Sequence, residues 1–222
     1  MFIEYQDHFA NEVYQATACY VIWKSLQNEP AKDESLLRAL NENPTSWVFI
    51  RHSMMVCLIM ALGRIFDTDG DAVSIDDLIK SCISELELFS KESLRKRKMQ
   101  SHNASEWIDE YMQEVYEPSE QDFQRLKPEI KKYREIYEQY YKPLRHKIFA
   151  HSDKEYHLQS DVLWQATKGA NIEDILNFLE DFKMTIRETY LNGRKPVLES
   201  RTMDENWFAE DISSLLNRVK NA

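Results

Sequence analysis

The sequence predicts an all-α protein, a single compact bundle of about seven or eight helices spanning residues 1–222. Three observations carry that expectation. Gly and Pro are scarce, at 4 and 6 of 222 residues, where usage nearer 7% and 5% is typical, so folds that need many tight turns are disfavoured. Apolar residues recur at helical spacing, with no strand-like alternation in the first segment. Capping residues stand where each apolar stretch begins. An apolar content of 43%, with aromatics making up 12% of the chain, suffices for a core and excludes a disordered acidic chain.

Taken in order, Phe2, Phe9, Val13, Ala16, Tyr20 and Trp23 mark a first helix over 3–27 that ends before Pro30. A short helix follows over 33–40. Asn43-Pro44-Thr45-Ser46 is a start signal for a helix over 46–66 that is apolar almost all round, the pattern of a central buried helix. Ser74 with Asp77 opens the next helix through a capping box. Residues 84–101 turn polar and carry Lys91, Arg95, Lys96, Arg97 and Lys98, which read as a solvated helix face. A helix over 105–117 stops at Pro118, and Ser119 with Asp122 restarts the pattern. That pattern runs to His151, divided by Pro128 and Pro143. Residues 152–170 are the least regular. Asn171 with Asp174 caps a helix over 172–191 that Asn192-Gly193 terminates, and a last helix covers 204–219.

Composition also bounds function. The four glycines, Gly63, Gly70, Gly169 and Gly193, lie too far apart to build a phosphate-cradling loop. Cys19, Cys57 and Cys82 form no CxxC pair and read as buried thiols in a reducing cytoplasm. No signal peptide is visible. The most apolar window, Ser53 to Gly63, spans 11 residues. A bilayer needs about 20, so no membrane partner is expected. The formal charge of −10 argues against nucleic-acid binding over the whole surface.

Metal sites find little support. Asp67, Asp69 and Asp71 have the spacing of hard-cation ligands, yet Ala72 and Leu78 occupy the places where an EF-hand needs Gly and Glu. None of the six histidines forms an i,i+4 pair, and none lies near a cysteine. No metal and no cofactor is expected.

The stretch from Arg125 to Lys147 departs from the acidic average. It holds eight basic residues against three acidic ones, with Tyr133, Tyr137, Tyr140 and Tyr141 interleaved. Basic groups with interleaved aromatics suit a phosphate backbone and stacked bases. The spacing 133, 137, 140, 141, 144, 148 equally fits the core face of a helix. His151 lies seven residues beyond Leu144, only about 20° off that face. It reads either as a helix-end cation or as a base in a partly desolvated cleft.

The run Arg145-His146-Lys147-Ile148-Phe149-Ala150-His151, followed by Ser152-Asp153, resembles the signature of the HEPN superfamily. That signature is an Arg, often followed by a polar residue, with a His one to two helical turns further on. The Lys-x-x-Ala-His-Ser-Asp tail looks like the AbiU-type branch linked to abortive infection. Leu62-Gly63-Arg64-Ile65-Phe66-Asp67, followed by Ser74-Ile75, is similar to the same branch. The resemblance spans roughly 50–153 and implies a HEPN-like helical bundle. It also implies metal-independent RNA cleavage by a toxin or phage-defence effector, with an antitoxin or regulator protein as a further partner. In that chemistry His151 takes the proton of a ribose 2′-OH and Arg145 clamps the phosphate oxygens. Lys142, His146 and Lys147 would bind substrate. His146 stands where the family commonly has Asn or Asp, as a second acid or as a support for the Arg.

On one straight helix Arg145 and His151 lie about 120° and about 9 Å apart, so they do not converge easily within one chain. A two-fold homodimer that joins two helix ends would assemble a composite cleft, with the tyrosine stripe as a candidate interface. The alternative is a non-catalytic helical dimer that binds RNA, a nucleotide or a protein partner.

Overall fold

α1 (Phe2–Asn28) and α3 (Pro44–Ile65) make the most extensive helix pair among the described residues. Both are seen in a computed structural model that describes residues 1–68, 70, 72–145 and 169–221. Phe9, Val13, Ala16 and Tyr20 of α1 fall on one stripe because they recur every three or four positions, and all are buried. The stripe meets Leu58, Ile59, Leu62 and Ile65 of α3 in the main core. Between α1 and α3 lies α2 (Glu34–Leu40), whose N-cap Asp33 accepts from the amides of Ser35 and Leu36 at 3.0 and 3.1 Å.

Two capping boxes appear where the sequence places them. Ser74 N donates to Asp77 at the start of α4 (Ile75–Ser84), at 3.2 Å. Ser119 N donates to Asp122 at the start of α7 (Glu120–Gln124), at 2.9 Å. Between them come α5 (Lys91–Lys98) and α6 (Ala104–Gln113). Then follow α8 (Lys127–Tyr140), the single turn α9 (Lys142–Leu144), α10 (Gly169–Asn192) and α11 (Asn206–Lys220). These are eleven α-helical segments among the described residues, and Pro128 and Pro143 each stand in the first turn of a new one, dividing the stretch as the sequence reading has it. Among the described residues there is no strand.

α10 supplies the other wall of the core through Ile175, Leu176, Leu179, Phe182 and Ile186, all fully buried. It ends on Gly193, at φ +61°. The amides of Gly193 and Arg194 bond back to the carbonyls of Thr189 and Glu188 at 3.1 and 3.3 Å. A Cβ there would also stand 2.6 Å from Val115 and 2.8 Å from Leu94, so only Gly fits. Asn171, expected to cap this helix, lies inside it, since the helix begins two residues earlier. Past Gly193 the chain runs extended across α10, held by the buried Asp181. That carboxylate accepts from Ser200 N at 2.8 Å, Arg201 NH1 at 2.9 Å and Glu199 N at 3.2 Å. α11 closes a second, smaller apolar cluster of Leu26, Leu36, Leu40, Ile212 and Leu216.

α3 differs from expectation. Its C-terminal half is buried, but Val48 is 57% and Phe49 is 69% exposed, and Ile50 and Cys57 are exposed too. The first half of α3 is covered on one side only, where Trp47 packs on Leu26, Leu36 and Leu40 and Arg51 donates to Gln27 at 2.8 Å, so its other faces stay open. Among the described residues α3 is also the one helix long and apolar enough to cross a bilayer by length and composition. The three thiols likewise divide: Cys82 is buried, Cys19 half-buried and Cys57 exposed.

The basic run on α5 is only partly a solvated face. Arg97 turns inward, donates to the carbonyls of Leu88 at 2.8 Å and Tyr190 at 2.7 Å, and stacks 4.0 Å above the Tyr190 ring. Arg95 and Lys96 remain outside, paired with Asp109 and Glu92 at 2.6 Å each.

Two predictions follow from these contacts. Arg97→Met strands two carbonyls and is expected to cost about 2–3 kcal/mol, read by thermal or denaturant melts. Lys96→Met should stay within about 0.5 kcal/mol of wild type. In Asp122, burial pushes the carboxyl pKa up, but donors from Ser119 and Tyr116 outweigh it and hold the pKa below the usual carboxylate range. Its stabilisation is therefore complete above about pH 4 and is lost as pH falls through the folded-state value. Asp122→Asn should cost about 1 kcal/mol or more at neutral pH, with the gap closing in acid denaturation curves below about pH 4.

Candidate functional site at the end of α8 and α9

α8 starts with Pro128 in its first turn, where a missing N–H costs nothing. Ile130, Tyr137, Tyr141 and Leu144 descend its inner face and are buried. Tyr133 and Tyr140 flank that face, half-buried, and Tyr133 lies flat on Phe178 with centroids 4.3 Å apart. Among the described residues the tyrosine stripe is thus chiefly core.

Pro143 has no N–H to offer the carbonyl of Gln139, so α8 ends at Tyr140 and restarts as α9. The Arg145 amide still bonds to the Tyr141 carbonyl at 3.0 Å, so Arg145 keeps helical register. With Tyr141 and Leu144 anchored in the core, the Arg145 side chain lies across α3. Its NH1 donates to the carbonyl of Gly63 at 3.2 Å.

Gly63 makes this approach possible. A Cβ at that position would stand 2.7 Å from Arg145 Cδ and 2.8 Å from both Nε and NH1. Phe66, just past α3, stacks on Tyr137 with centroids 5.6 Å apart and closes the same corner. The Tyr137 hydroxyl is buried and makes no aligned hydrogen bond. Burial raises its pKa, and the neighbouring Arg145 guanidinium opposes that rise without cancelling it. The corner therefore sets the Arg145 guanidinium against aromatic carbon, with the Asp67 and Glu138 carboxylates close enough to act on the same hydroxyl, so an anion bound beside Arg145 would compete with them.

Lys142 stands one turn earlier, half-exposed, with its ammonium 3.4 Å from Glu138. An exposed i,i+4 pair contributes only about 0.3–0.5 kcal/mol, so Lys142 can turn to another anion at little cost. His146, Lys147 and His151 lie outside the described residues, as do Asp69 and Asp71 of the acidic loop. The geometry thus seats Arg145 and Lys142 of the expected site residues.

Two features escaped the sequence reading. The first is the role of Gly63, although a lone Gly inside an apolar helix is itself a signal. It costs about 1 kcal/mol against Ala and is retained where another group must come close. The second is a network at the first turns of α10. Tyr20 donates to Glu173 at 2.6 Å, and Lys24 reaches Glu173 at 2.7 Å and Glu205 at 3.1 Å. Lys24 and Tyr20 together hold the Glu173 carboxyl below the usual range. They tie α1 to α10 across the core, a pairing that no local pattern announces.

Gly63→Ala should separate fold from site. The obstructed atoms belong to a flexible side chain, and Ala favours the helix by about 1 kcal/mol. The melting temperature should therefore hold or rise while the Arg145 guanidinium is displaced. Circular dichroism melts with the arginine Nε–H resonance, followed by NMR, check both halves.

The comparisons with known proteins come to one finding. The chain matches the family model HEPN_AbiU2, described as AbiU2, over residues 1–221. That is wider than the 50–153 stretch carrying the motifs. No curated protein and no solved structure matches it. With a helical fold and a match over nearly its whole length, this chain belongs to the HEPN AbiU2 family.

Proposed function

We propose that this chain is a metal-independent endoribonuclease of HEPN type, acting as a toxin or phage-defence effector. The observation that carries the reading is the seat of Arg145. Its guanidinium is held over Gly63 near the end of a stretch, 125–147, with eight basic against three acidic residues in an acidic chain. His151 acts as general base and takes the proton of a ribose 2′-OH. The resulting O2′ attacks the adjacent phosphorus, and the P–O5′ bond breaks. The 5′-oxygen leaves with a proton, giving a 2′,3′-cyclic phosphate and a 5′-OH. Arg145 stabilises the charge that builds on the non-bridging oxygens. Lys142, His146 and Lys147 hold the flanking backbone.

A second copy completes the cleft. Little of the tyrosine stripe is exposed, whereas Val48, Phe49 and Ile50 on α3 are exposed and apolar. These three residues lie about 20 Å along α3 from Gly63, so the two-fold joint that brings two Arg145 side chains together is at the α9 end rather than at this apolar stretch. One observation favours the non-catalytic alternative. Arg145 already spends a donor on the Gly63 carbonyl, as a purely structural arginine would.

Cleavage of single-stranded RNA in EDTA separates the two readings. Full-length chain is expected to yield cyclic-phosphate ends. His151→Ala should lose about 10²–10⁴-fold in rate and Arg145→Ala about 10²–10³-fold, with fold intact by circular dichroism. Undiminished cleavage in His151→Ala would overturn the mechanism, and binding without any cleavage would establish the alternative.

A further inference from the structure

Between α4 and the first half of α8 lies a surface hollow of about 620 Å³. Four cations line it, Lys80 from α4 with Lys127, Lys131 and Arg134 from α8, against one carboxylate, Asp76. The spacing i, i+4, i+7 places the three α8 cations on one face. They are also differently prepared. Arg134 is only 16% exposed and is held by an ion pair with Asp76, so its guanidinium is fixed in place. Lys127 makes no ion pair among the described residues. Lys131 is 77% exposed and 3.8 Å from Glu135, and Lys80 is exposed and 2.9 Å from Asp77. Such exposed pairs contribute well under about 1 kcal/mol and are readily exchanged for a bound anion. The hollow therefore holds one oriented cation at its base and three adjustable ones at its rim, beside the positive end of the 14-residue α8.

Two other hollows among the described residues lack this balance. The one beside Tyr133 and Phe178 is lined by Glu129, Asp174 and Asp181, and its Arg201 is already taken by Asp181 and Glu199. The one between α1, α2 and α3 is chiefly apolar.

Phase connects the basic hollow to the site. Arg134 and Arg145 are eleven residues apart, about 16 Å along the helix and within about 20° of the same face. The break at Tyr141 is small, because the hydrogen-bonded register continues through it at 2.8 and 3.0 Å. We propose that this hollow is a phosphate-binding subsite that grips the RNA backbone a few nucleotides away from the bond cut beside Arg145. The inference rests on the RNA reading above and adds to it where the strand runs: along α8, toward α4. A phosphodiester chain is favoured over an isolated anion because the cations are strung along one face rather than gathered on one point.

The test uses full-length chain, an unstructured single-stranded RNA, and fluorescence anisotropy over a range of salt. Reversing two rim charges, Lys127→Glu with Lys131→Glu, should weaken binding by about tenfold or more. It should also flatten the slope of log affinity against log salt by about 1 to 2. Lys91→Glu with Lys96→Glu on α5, the same change in net charge on exposed residues, serves as the control and should change neither quantity comparably. Cleavage of long RNA by the double variant should show a raised KM with kcat little changed. Affinity in the double variant equal to wild type, or an equal loss in the control, overturns the subsite. If wild type cleaves while the double variant binds normally, the subsite alone fails. If wild type neither binds nor cleaves RNA, both readings fall. Inorganic pyrophosphate that binds this hollow more tightly than RNA would reassign it to a small free anion and likewise overturn the proposal.

Discussion

Glu12 and Arg64 set the register of the molecule. The Arg64 guanidinium meets the Glu12 carboxylate with both forks at 2.8 Å, and Glu12 is buried. An apolar seam such as that between Val13, Ala16, Leu58 and Leu62 tolerates a slide of one turn with modest loss. A buried carboxylate does not, because shifting it away from its cation leaves a charge without compensation. Arg64 is the residue after Gly63. Fixing α3 against α1 therefore fixes where α3 presents its one gap in side chains, and Arg145 can lie only at that gap. The basic strip on α8 inherits its position from the same contact, through Tyr137 and Tyr141 in the core.

This dependence explains what the sequence could and could not convey. Helix limits set by neighbours in the chain were legible: the Asp33 cap, the boxes at Ser74 and Ser119, the stop at Gly193, the restarts at Pro128 and Pro143. Each is decided within about four residues. Features settled by distant partners were not. Arg97 reads as one more charge in a solvated run until Tyr190 is brought beneath it. Asp181 reads as a surface acid until residues 199–201 cross over it. The exposed half of α3 reads as core because its composition is that of core, and only the placement of α1 and α2 along one side of it reveals otherwise.

For the candidate site the division is similar. Arg145 was legible because its run resembles a family signature, and Lys142 because it shares the local excess of positive charge. The seat of Arg145 on Gly63 was not, since the two residues are 82 positions apart. The acidic total misled in the same way. It averages an acidic body with a basic strip, and a phosphate responds to charges within roughly a Debye length, about 8–10 Å, rather than to that average.

A methyl group would meet other atoms at Gly63, Gly70 and Gly193, and at the first and last of these the consequences differ in kind. At Gly193 the obstacles are packed side chains and the backbone itself is left-handed, so substitution strikes folding. At Gly63 the obstacle is one movable arginine, so substitution strikes only what that arginine does. In a survey of random variants selected for loss of effect in cells, the two would separate by abundance. Changes at 193 would be depleted from the soluble pool by quality control, while changes at 63 would accumulate to normal levels as inert protein. A chain with so few glycines thus carries, in two of them, one marker for its architecture and one for its chemistry.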